Sequence, residues 1–235
     1  MSYLTSVRIP VFLICLTAIF FCLLFFISNI FTVKTINLEG VNDLYGIRQT
    51  KGQNLILLNI KSVKENLYKL NPTFSELTIT KKYPSTLQIV VKLSQKIALL
   101  RVDRGYYTLT SQGKVLSRTR SEKLDNGLTV ISYYQNFNYD DYHVGDIIDQ
   151  TDILTALLLL LELRKMNFVI SRLDINGPDM LVFRTSENQE IKASSEKKLE
   201  EQLIDLKNLI VKIKVENINY KSIDLRFNKP VIRIR

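Results

Sequence analysis

A long uncharged and largely apolar run near the N-terminus is the strongest feature of the hydrophobic pattern. It extends from Ile9 to Val33, contains no charged residue and is bounded by Arg8 and Lys34. As a helix it would be about 37 Å long, which exceeds the roughly 30 Å of a bilayer's hydrocarbon core. A core helix of a soluble protein would carry a polar face, and the apolar region of a cleaved signal peptide spans only about 7–15 residues. The pattern therefore predicts an uncleaved transmembrane anchor over residues 9–33.

The charges on either side of this anchor give little direction for its orientation. Arg8 precedes the anchor, and Lys34, Arg48 and Lys51 follow it, so the positive-inside rule gives little direction. A short tail is easily retained in the cytoplasm while a long C-terminal region is exported. We therefore expect residues 1–8 inside the cytoplasm and everything after Lys34 outside it.

The region after the anchor has the pattern of a small mixed domain. Asn59 is a favourable N-cap, and apolar residues follow it at helical spacing. Two alternating runs farther along flank a turn and predict a hairpin. This β-α-α-β-β order occupies residues 34–97 and would place two helices on one face of a small sheet. The predicted elements are a strand from Val33 to Leu38, a short helix from Asn42 or Asp43 to Thr50, a helix with Ile60, Val63, Leu67 and Leu70 on one face, and strands over Leu77–Tyr83 and Leu87–Leu93.

The remaining residues, 98–235, alternate between short strands and two helices, so the predicted fold class is α+β. Thr151–Lys165 is the most apolar stretch, but only about nine residues separate Asp152 from Glu162, which is too few for a second membrane span and favours a buried helix. The later helix carries a stripe that fits core packing better than a coiled coil of two heptads. The predicted elements are strands at Tyr106–Leu109, Val115–Leu116, Leu128–Ile131, Phe168–Ile175, Met180–Arg184 and Glu190–Ala193, helices at Thr151–Lys165 and after a Ser194 or Ser195 cap, and extended chain over Tyr220–Arg235.

Composition adds a basic balance and excludes several classes of protein. The net charge is +9, from 32 Lys and Arg against 23 Asp and Glu, and these side chains are scattered through alternating patterns. Such a surface suits a solvated domain beside anionic lipid, whereas no run resembles a nucleic-acid-binding motif. Both cysteines, Cys15 and Cys22, lie within the apolar run, so the part after the anchor has no disulfide framework.

Few residues have the types and spacings that catalysis or metal binding requires. His143 is the single histidine, and it follows Asp140 and Asp141 in a polar stretch that is typical of a solvated loop. Asp146 and Asp149 add acidic groups nearby, but without the spacing of a calcium loop. We expect no enzyme activity, no metal site, no cofactor and no small-molecule substrate.

The same stretch is rich in aromatic residues. Between Tyr133 and Tyr142 the chain has four tyrosines and Phe137. The rings either cover the edge of the core, which we favour, or form an adhesive surface for a partner protein.

Five stretches of the sequence carry a resemblance to a known family. They are VKTINLEGV just beyond the anchor, GQNLILLNIKSVKENLYKL, TITKKYPSTLQIVV, YYTLTSQGKVL from Tyr106 to Leu116 and KSIDLRFNKPVIRIR from Lys221 to Arg235. In this order after a signal anchor, they resemble the FtsQ/DivIB family of bacterial cell-division proteins over nearly the full length. The resemblance implies a POTRA domain at residues 34–97 and a β domain at residues 98–235.

The resemblance also implies a function as a scaffold. The expected protein crosses the bacterial plasma membrane once at the division site, with its C-terminal domains outside the cytoplasm. The implied partners are divisome membrane proteins like FtsB and FtsL and, with them, the peptidoglycan synthesis machinery. Two other functions remain open: an anchored envelope protein that binds an acidic cell-wall polymer, and a POTRA-type translocation component.

The last residues of the chain form the candidate partner-binding site. Ile223 and Leu225 alternate with polar residues, and after Pro230 the alternation changes phase. The change indicates a bulge or a turn at residues 228–230, and proline suits an edge strand because it cannot donate to a ladder. Such an edge can accept a partner's strand, although these residues can also simply complete the sheet. The candidate residues are Phe227, Lys229, Pro230, Val231, Ile232, Arg233, Ile234 and Arg235.

Overall fold

The computed structural model describes residues 16–20, 25–26, 29–121 and 127–235. The chain divides into two compact units, Met1–Leu93 and Ser94–Arg235, and each has its own apolar core. The predicted anchor at residues 9–33 lies partly outside the described residues, and both cysteines, Cys15 and Cys22, lie outside them. Within the part of the chain that is described, no helix has the length and apolar character needed to cross a membrane.

The first unit contains a small mixed sheet. Its described residues form three strands, and the third strand in sequence lies between the other two. β1 (Thr35–Glu39) runs parallel to β3 (Thr86–Leu93), and β3 runs antiparallel to β2 (Phe74–Lys82). α1 (Ile60–Leu70) lies between β1 and β2 in sequence. The predicted hairpin is therefore confirmed.

α1 forms where the sequence places its cap and its apolar face. The Asn59 side-chain oxygen accepts hydrogen bonds from the N–H groups of Lys61 and Ser62, at 3.1 and 3.3 Å. These bonds satisfy two of the donors that a helix start leaves without partners. Leu67 is 1% exposed in the core of the unit, whereas Leu70 at the end of the stripe is 46% exposed. The apolar face of α1 thus centres on Leu67.

The predicted helix before α1 is wrong in its length. Instead of a helix from Asn42 or Asp43, one turn of 3-10 helix covers Ile47–Thr50. The Asp43 carboxylate accepts a hydrogen bond from the adjacent Leu44 N–H and caps no helix. Gly46, at φ 85°, occupies the left-handed region, which interrupts any helix that would begin upstream.

The second unit contains a large mixed sheet. Its nine described strands are β4 (Ala98–Val102), β5 (Gly105–Leu109), β6 (Val115–Thr119), β7 (Thr129–Tyr133), β8 (Ile170–Gly177), β9 (Met180–Thr185), β10 (Glu190–Ala193), β11 (Tyr220–Asp224) and β12 (Val231–Ile234), and its helices are α2 (Thr151–Lys165) and α3 (Leu199–Val215). The strands lie in the order β12-β11-β10-β9-β8-β7-β4-β5-β6. Neighbours are antiparallel except for the pairs β4–β7, β7–β8 and β10–β11.

Both helices pack against one face of this sheet. α2 buries most of its circumference, which confirms the buried helix, and α3 contributes Leu206 and Ile213 to the same core. Since side chains alternate along a strand, the strand residues in this core lie on one face. The opposite face, here called the open face, carries polar residues such as Arg172 and Arg184, which are paired across β8 and β9.

Two features of the second unit were not predicted. β4 lies in the middle of the sheet between β5 and β7, but no strand was predicted there. The Ser194 or Ser195 cap is wrong, because α3 begins at Leu199 without a side-chain cap. The buried Gln202 amide instead accepts a hydrogen bond from the Ser194 N–H and donates to the carbonyl oxygens of Ser194 and Lys197. These bonds hold the backbone of Ser194 and Lys197 outside the helix, which begins only at Leu199.

Truncation of Leu67 tests the core of the first unit. In a fragment of residues 31–93, Leu67→Ala should lower the free energy of unfolding by about 2–5 kcal/mol, because it leaves a cavity in the core. Leu70→Ala is the matched control on the same helix and should cost less than about 1 kcal/mol. Urea unfolding followed by circular dichroism measures both values. Equal losses for the two variants would contradict the placement of the apolar face.

Candidate partner-binding edge

β12 is an edge strand of the nine-stranded sheet. It pairs antiparallel with β11, with Asp224 opposite Val231 and Ile223 opposite Ile232, and no described strand pairs with its other side. The phase change around Pro230 marks the turn between these strands, one of the two alternatives predicted. The register irregularity lies elsewhere, in β11 between Tyr220 and Ser222.

The backbone direction of β12 follows from one hydrogen bond. The Arg235 N–H donates to the Asn219 carbonyl oxygen at 3.1 Å, so this residue points toward the β11 side. Backbone polar groups of successive strand residues point alternately to the two sides. The N–H and C=O groups of Ile234 and Ile232 therefore point away from β11, toward the open edge.

The side chains around this edge combine apolar and basic groups. Phe227, Val231 and Ile234 are 53%, 52% and 65% exposed, whereas Ile232 is half-buried against the core. Pro230 is half-buried in the turn. The structure therefore brings the predicted residues together at the end of one sheet, and the remaining members, Lys229, Arg233 and Arg235, are exposed.

A lysine from outside the predicted set fastens the turn before β12. Lys197 Nζ donates hydrogen bonds to the carbonyl oxygens of Leu225 and Phe227, at 3.1 and 3.0 Å. The same ammonium lies 2.8 Å from Asp205 Oδ2 on α3, and its side chain is only 13% exposed. Lys197 is 28 residues from Leu225 in sequence, and no local pattern marks the contact.

An ion pair stabilises the end of β11. Arg226 donates from Nε and Nη2 to the two carboxylate oxygens of Asp224, at 2.9 and 2.8 Å. Burial raises the pKa of Asp224, but the hydrogen bonds and charge of Arg226 outweigh burial, so the pKa lies below its usual value of 3.8. The Arg226 guanidinium also lies 5.5 Å from the centroid of the Phe227 ring. The pair thus holds the first residues of the turn.

The opposite edge of the sheet, at β6, is covered at its first residue, Val115. The Val115 N–H donates to the Asp146 carbonyl oxygen, and the Val115 carbonyl oxygen accepts from the Gly145 N–H, at 2.9 and 2.8 Å. Arg118, farther along β6, hydrogen-bonds the Tyr139 carbonyl oxygen and pairs with Asp140. The loop after β7 therefore occupies the start of this edge and contacts the Arg118 side chain farther along, whereas no described strand pairs with the outer side of β12.

The aromatic residues between Tyr133 and Tyr142 pack against the edge of the core, which is the interpretation that the sequence analysis favours. Phe137 is buried, and its ring stacks on Tyr133 with centroids 5.3 Å apart. The Tyr107 hydroxyl donates to the Asn138 carbonyl oxygen at 2.7 Å, and burial raises the pKa of Tyr107. Tyr142 contacts the rings of both Phe137 and Tyr107 edge-on. These contacts account for most of the rings without a partner protein.

The remaining residues that were considered for catalysis or metal binding lie in a loop. His143 is exposed, with Nδ1 3.9 Å from Asp146 Oδ2. Asp141 accepts a hydrogen bond from the Asn138 N–H, and Asp146 accepts one from the His143 N–H. Across the described ranges, no group of three or more His, Cys, Asp or Glu side chains is placed to hold a metal ion.

Family comparisons cover both units. The profile "POTRA domain, FtsQ-type" matches residues 31–92, and "Cell division protein FtsQ/DivIB, C-terminal" matches residues 98–226. The second match covers more than half of the chain and ends one residue before the candidate edge residues begin.

Curated relatives agree with these profiles. A "Cell division protein DivIB" from Clostridium botulinum strain Hall is 28% identical over 131 residues, which cover 54% of this chain and 49% of that protein. A second, from strain Loch Maree, is 24% identical over 190 residues, or 78% of this chain and 72% of that protein. A third, from Clostridium acetobutylicum, is 29% identical over 92 residues, or 37% of this chain and 36% of that protein. The first match thus spans about half of the relative's length. With a mixed second unit preceded by a FtsQ-type POTRA domain, the chain belongs to the FtsQ/DivIB family of cell-division proteins.

Proposed function

We propose that this protein is a membrane-anchored scaffold of the division site that recruits partner proteins by strand addition to β12. The observation that carries the proposal is the open edge, where the N–H and C=O groups of Ile232 and Ile234 point away from β11. An extended segment of a partner can pair with such groups and gain main-chain hydrogen bonds. The exposed side chains of Val231 and Ile234 then give apolar contacts that select the segment.

The proposed partners are other membrane proteins of the divisome. Family resemblance points to proteins like FtsB and FtsL and, with them, to the peptidoglycan synthesis machinery. The names of the curated relatives, cell division protein DivIB, support the cell-division role. Lys229, Arg233 and Arg235 make the edge basic, so an acidic segment would associate faster and with stronger salt dependence.

We propose the anchor and domain limits as the sequence indicates them. The uncharged run of residues 9–33 would form the membrane anchor, with Val33, which is buried in the core of the first unit, at its outer end and residues 1–8 in the cytoplasm. The POTRA domain at residues 34–97 and the β domain at residues 98–235 would lie outside. The support for this topology is the uncharged run and the short tail before it.

Binding of an acidic cell-wall polymer is the weaker alternative. The open face carries basic side chains, but several lie within ion-pair distance of acidic ones. Arg172 lies 2.9 Å and Arg184 3.4 Å from Asp174, and Lys192 lies 3.6 Å from Glu190. These ion pairs reduce the positive electrostatic potential of the open face and so weaken the case for binding an acidic polymer there. We therefore prefer a protein partner at the open edge.

A pair of substitutions at Ile232 tests strand addition. Ile232→Pro removes an N–H that points to the open edge, whereas Ile232→Ala removes the same packing and keeps the N–H. We expect the proline variant to bind the FtsB-like protein of the same organism at least about tenfold more weakly than the alanine variant, roughly 1.4 kcal/mol. Fluorescence anisotropy with a labelled segment of that partner measures the affinities.

Thermal melts of the two variants accompany this test. Similar melting temperatures with lost binding only in the proline variant support docking at β12. Equal binding by the two variants, or tight binding to an acidic glycan in place of the protein segment, would contradict the proposal.

Lys197 tests whether the turn prepares the edge for binding. Lys197→Met removes the hydrogen bonds to two carbonyl oxygens and leaves Asp205 without this partner, so the free energy of unfolding should fall by about 1–3 kcal/mol. Partner binding should weaken as the turn loosens. Lys198→Met is the matched control, since that side chain is 80% exposed and should change stability by less than about 0.5 kcal/mol. Indistinguishable behaviour of the two variants would show that the turn does not depend on Lys197.

Charges in the apolar run test the anchor. Leu16→Arg with Phe20→Arg should oppose membrane insertion, at about 2.5–3.5 kcal/mol for each arginine. The double alanine variant at the same positions is the control and should still insert. Alkaline carbonate extraction of membranes separates inserted from peripheral protein. A double-arginine chain that stays in the extracted membrane fraction would contradict the single span.

A further inference from the structure

The first unit exposes three large apolar side chains at one end. Ile56, Leu57 and Tyr83 are 47%, 82% and 59% exposed. Ile56 and Leu57 belong to the loop before α1, and Tyr83 belongs to the turn between β2 and β3. We call these three residues the apolar tip.

Backbone hydrogen bonds fasten the loop of the apolar tip to the chain that leaves the proposed anchor. The Leu55 N–H donates to the Phe31 carbonyl oxygen at 2.6 Å, and the Val33 N–H donates to the Gln53 carbonyl oxygen at 2.9 Å. The Gly52 N–H donates back to the Val33 carbonyl oxygen at 3.0 Å. The loop residues next to Ile56 therefore lie within hydrogen-bond distance of the last residues of the apolar run.

The β2–β3 turn is fastened to the same segment. The Lys34 N–H donates to the Ser85 carbonyl oxygen at 2.9 Å, and the Phe31 ring meets the Tyr83 ring edge-on with centroids 5.9 Å apart. Lys81 Nζ donates to the Ile56 carbonyl oxygen at 2.9 Å and so connects the turn side to the loop. The apolar tip is therefore one continuous surface beside residues 31–34.

Positive charge surrounds this surface. Lys34, Lys51 and Lys82 are exposed, and Lys81 is half-buried. The three segments that form the surface, residues 31–34, 51–57 and 81–86, contain these four lysines and no acidic residue. An apolar and aromatic centre with a basic rim matches an interface of acyl chains and anionic headgroups.

We propose that the apolar tip docks on the outer surface of the membrane, in contact with anionic lipid headgroups. The proposal rests on the anchor proposed above, because that span would end at residues 31–33, which are hydrogen-bonded to the loop of the first unit. Headgroups extend several ångströms beyond the hydrocarbon core, about 40–45 Å in total against about 30 Å. Side chains whose neighbouring backbone is hydrogen-bonded to the end of a span would lie within that layer. The lipid is favoured over a protein partner by this continuity with the apolar run.

The absence of tryptophan from the sequence gives a direct experiment. Leu57→Trp introduces a single indole at the apolar tip of the full chain, which is reconstituted in phosphatidylglycerol vesicles that contain brominated lipid. Tyr45→Trp is the control, since Tyr45 is 78% exposed but hydrogen-bonds Asn71 at the far end of α1, about 15 Å along the helix. We expect the brominated lipid to quench the Leu57→Trp emission at least twofold more than the Tyr45→Trp emission.

Charge changes identify the headgroup contribution. In the Leu57→Trp chain, Lys82→Glu should reduce quenching, and so should replacement of phosphatidylglycerol by phosphatidylcholine. Lys69→Glu makes the same charge change on exposed surface in the last turn of α1 and should leave the quenching unchanged. If Lys69→Glu reduced the quenching as much as Lys82→Glu does, the proposed role of the basic rim would be overturned.

Flotation of the chain with the vesicles after an alkaline wash tests the anchor separately. If the chain floats but the two indoles are quenched equally or not at all, the apolar tip does not dock on lipid, while the anchor stands. The same conclusion follows if the Leu57→Trp indole is buried only when a protein partner is added and not by lipid alone. A chain that does not float overturns both the anchor and the docking that rests on it.

Discussion

Backbone hydrogen bonding is the constraint on which the second unit depends, because every strand N–H and C=O needs a partner or water. At the β6 edge the loop after β7 supplies partners, including both backbone groups of Val115. At the β12 edge, the groups of Ile232 and Ile234 on the outer side have no described strand beside them. Charged and proline residues at natural edges discourage aggregation, and Lys229, Pro230 and Arg233 fit that pattern. An edge that is protected in this way, yet uncovered, suits a specific partner strand.

Periodicity predicted those parts of the fold in which local pattern and packing agree. The α1 stripe with its Asn59 cap, the Thr151–Lys165 helix and the strand at Glu190–Ala193 appear where the sequence places them. β4 was not predicted, since it is buried in the middle of the sheet and its Ala98-Leu99-Leu100 run does not alternate. Its position depends on pairing with β7, about 30 residues away, and no local rule gives that pairing.

The candidate edge was predictable to a similar degree. The phase change at Pro230 indicated a turn and an edge strand, and the structure places the eight candidate residues there. The role of Lys197 could not be predicted, because its hydrogen bonds to Leu225 and Phe227 depend on how α3 lies against the sheet. The start of α3 was missed for a related reason: the buried Gln202 amide bonds the chain where a serine cap was expected. Polar side chains that act through long-range contacts leave no periodic signal.

Amide hydrogen exchange with and without the proposed divisome partner tests the central claim most directly. The account predicts that binding of a partner segment slows exchange of the Ile232 and Ile234 amides, which point to the open edge. The Arg233 amide, which points to β11, and the amides of β6 should change little. Protection that appears at β6 or elsewhere, with Ile232 and Ile234 unchanged, would contradict strand addition at β12.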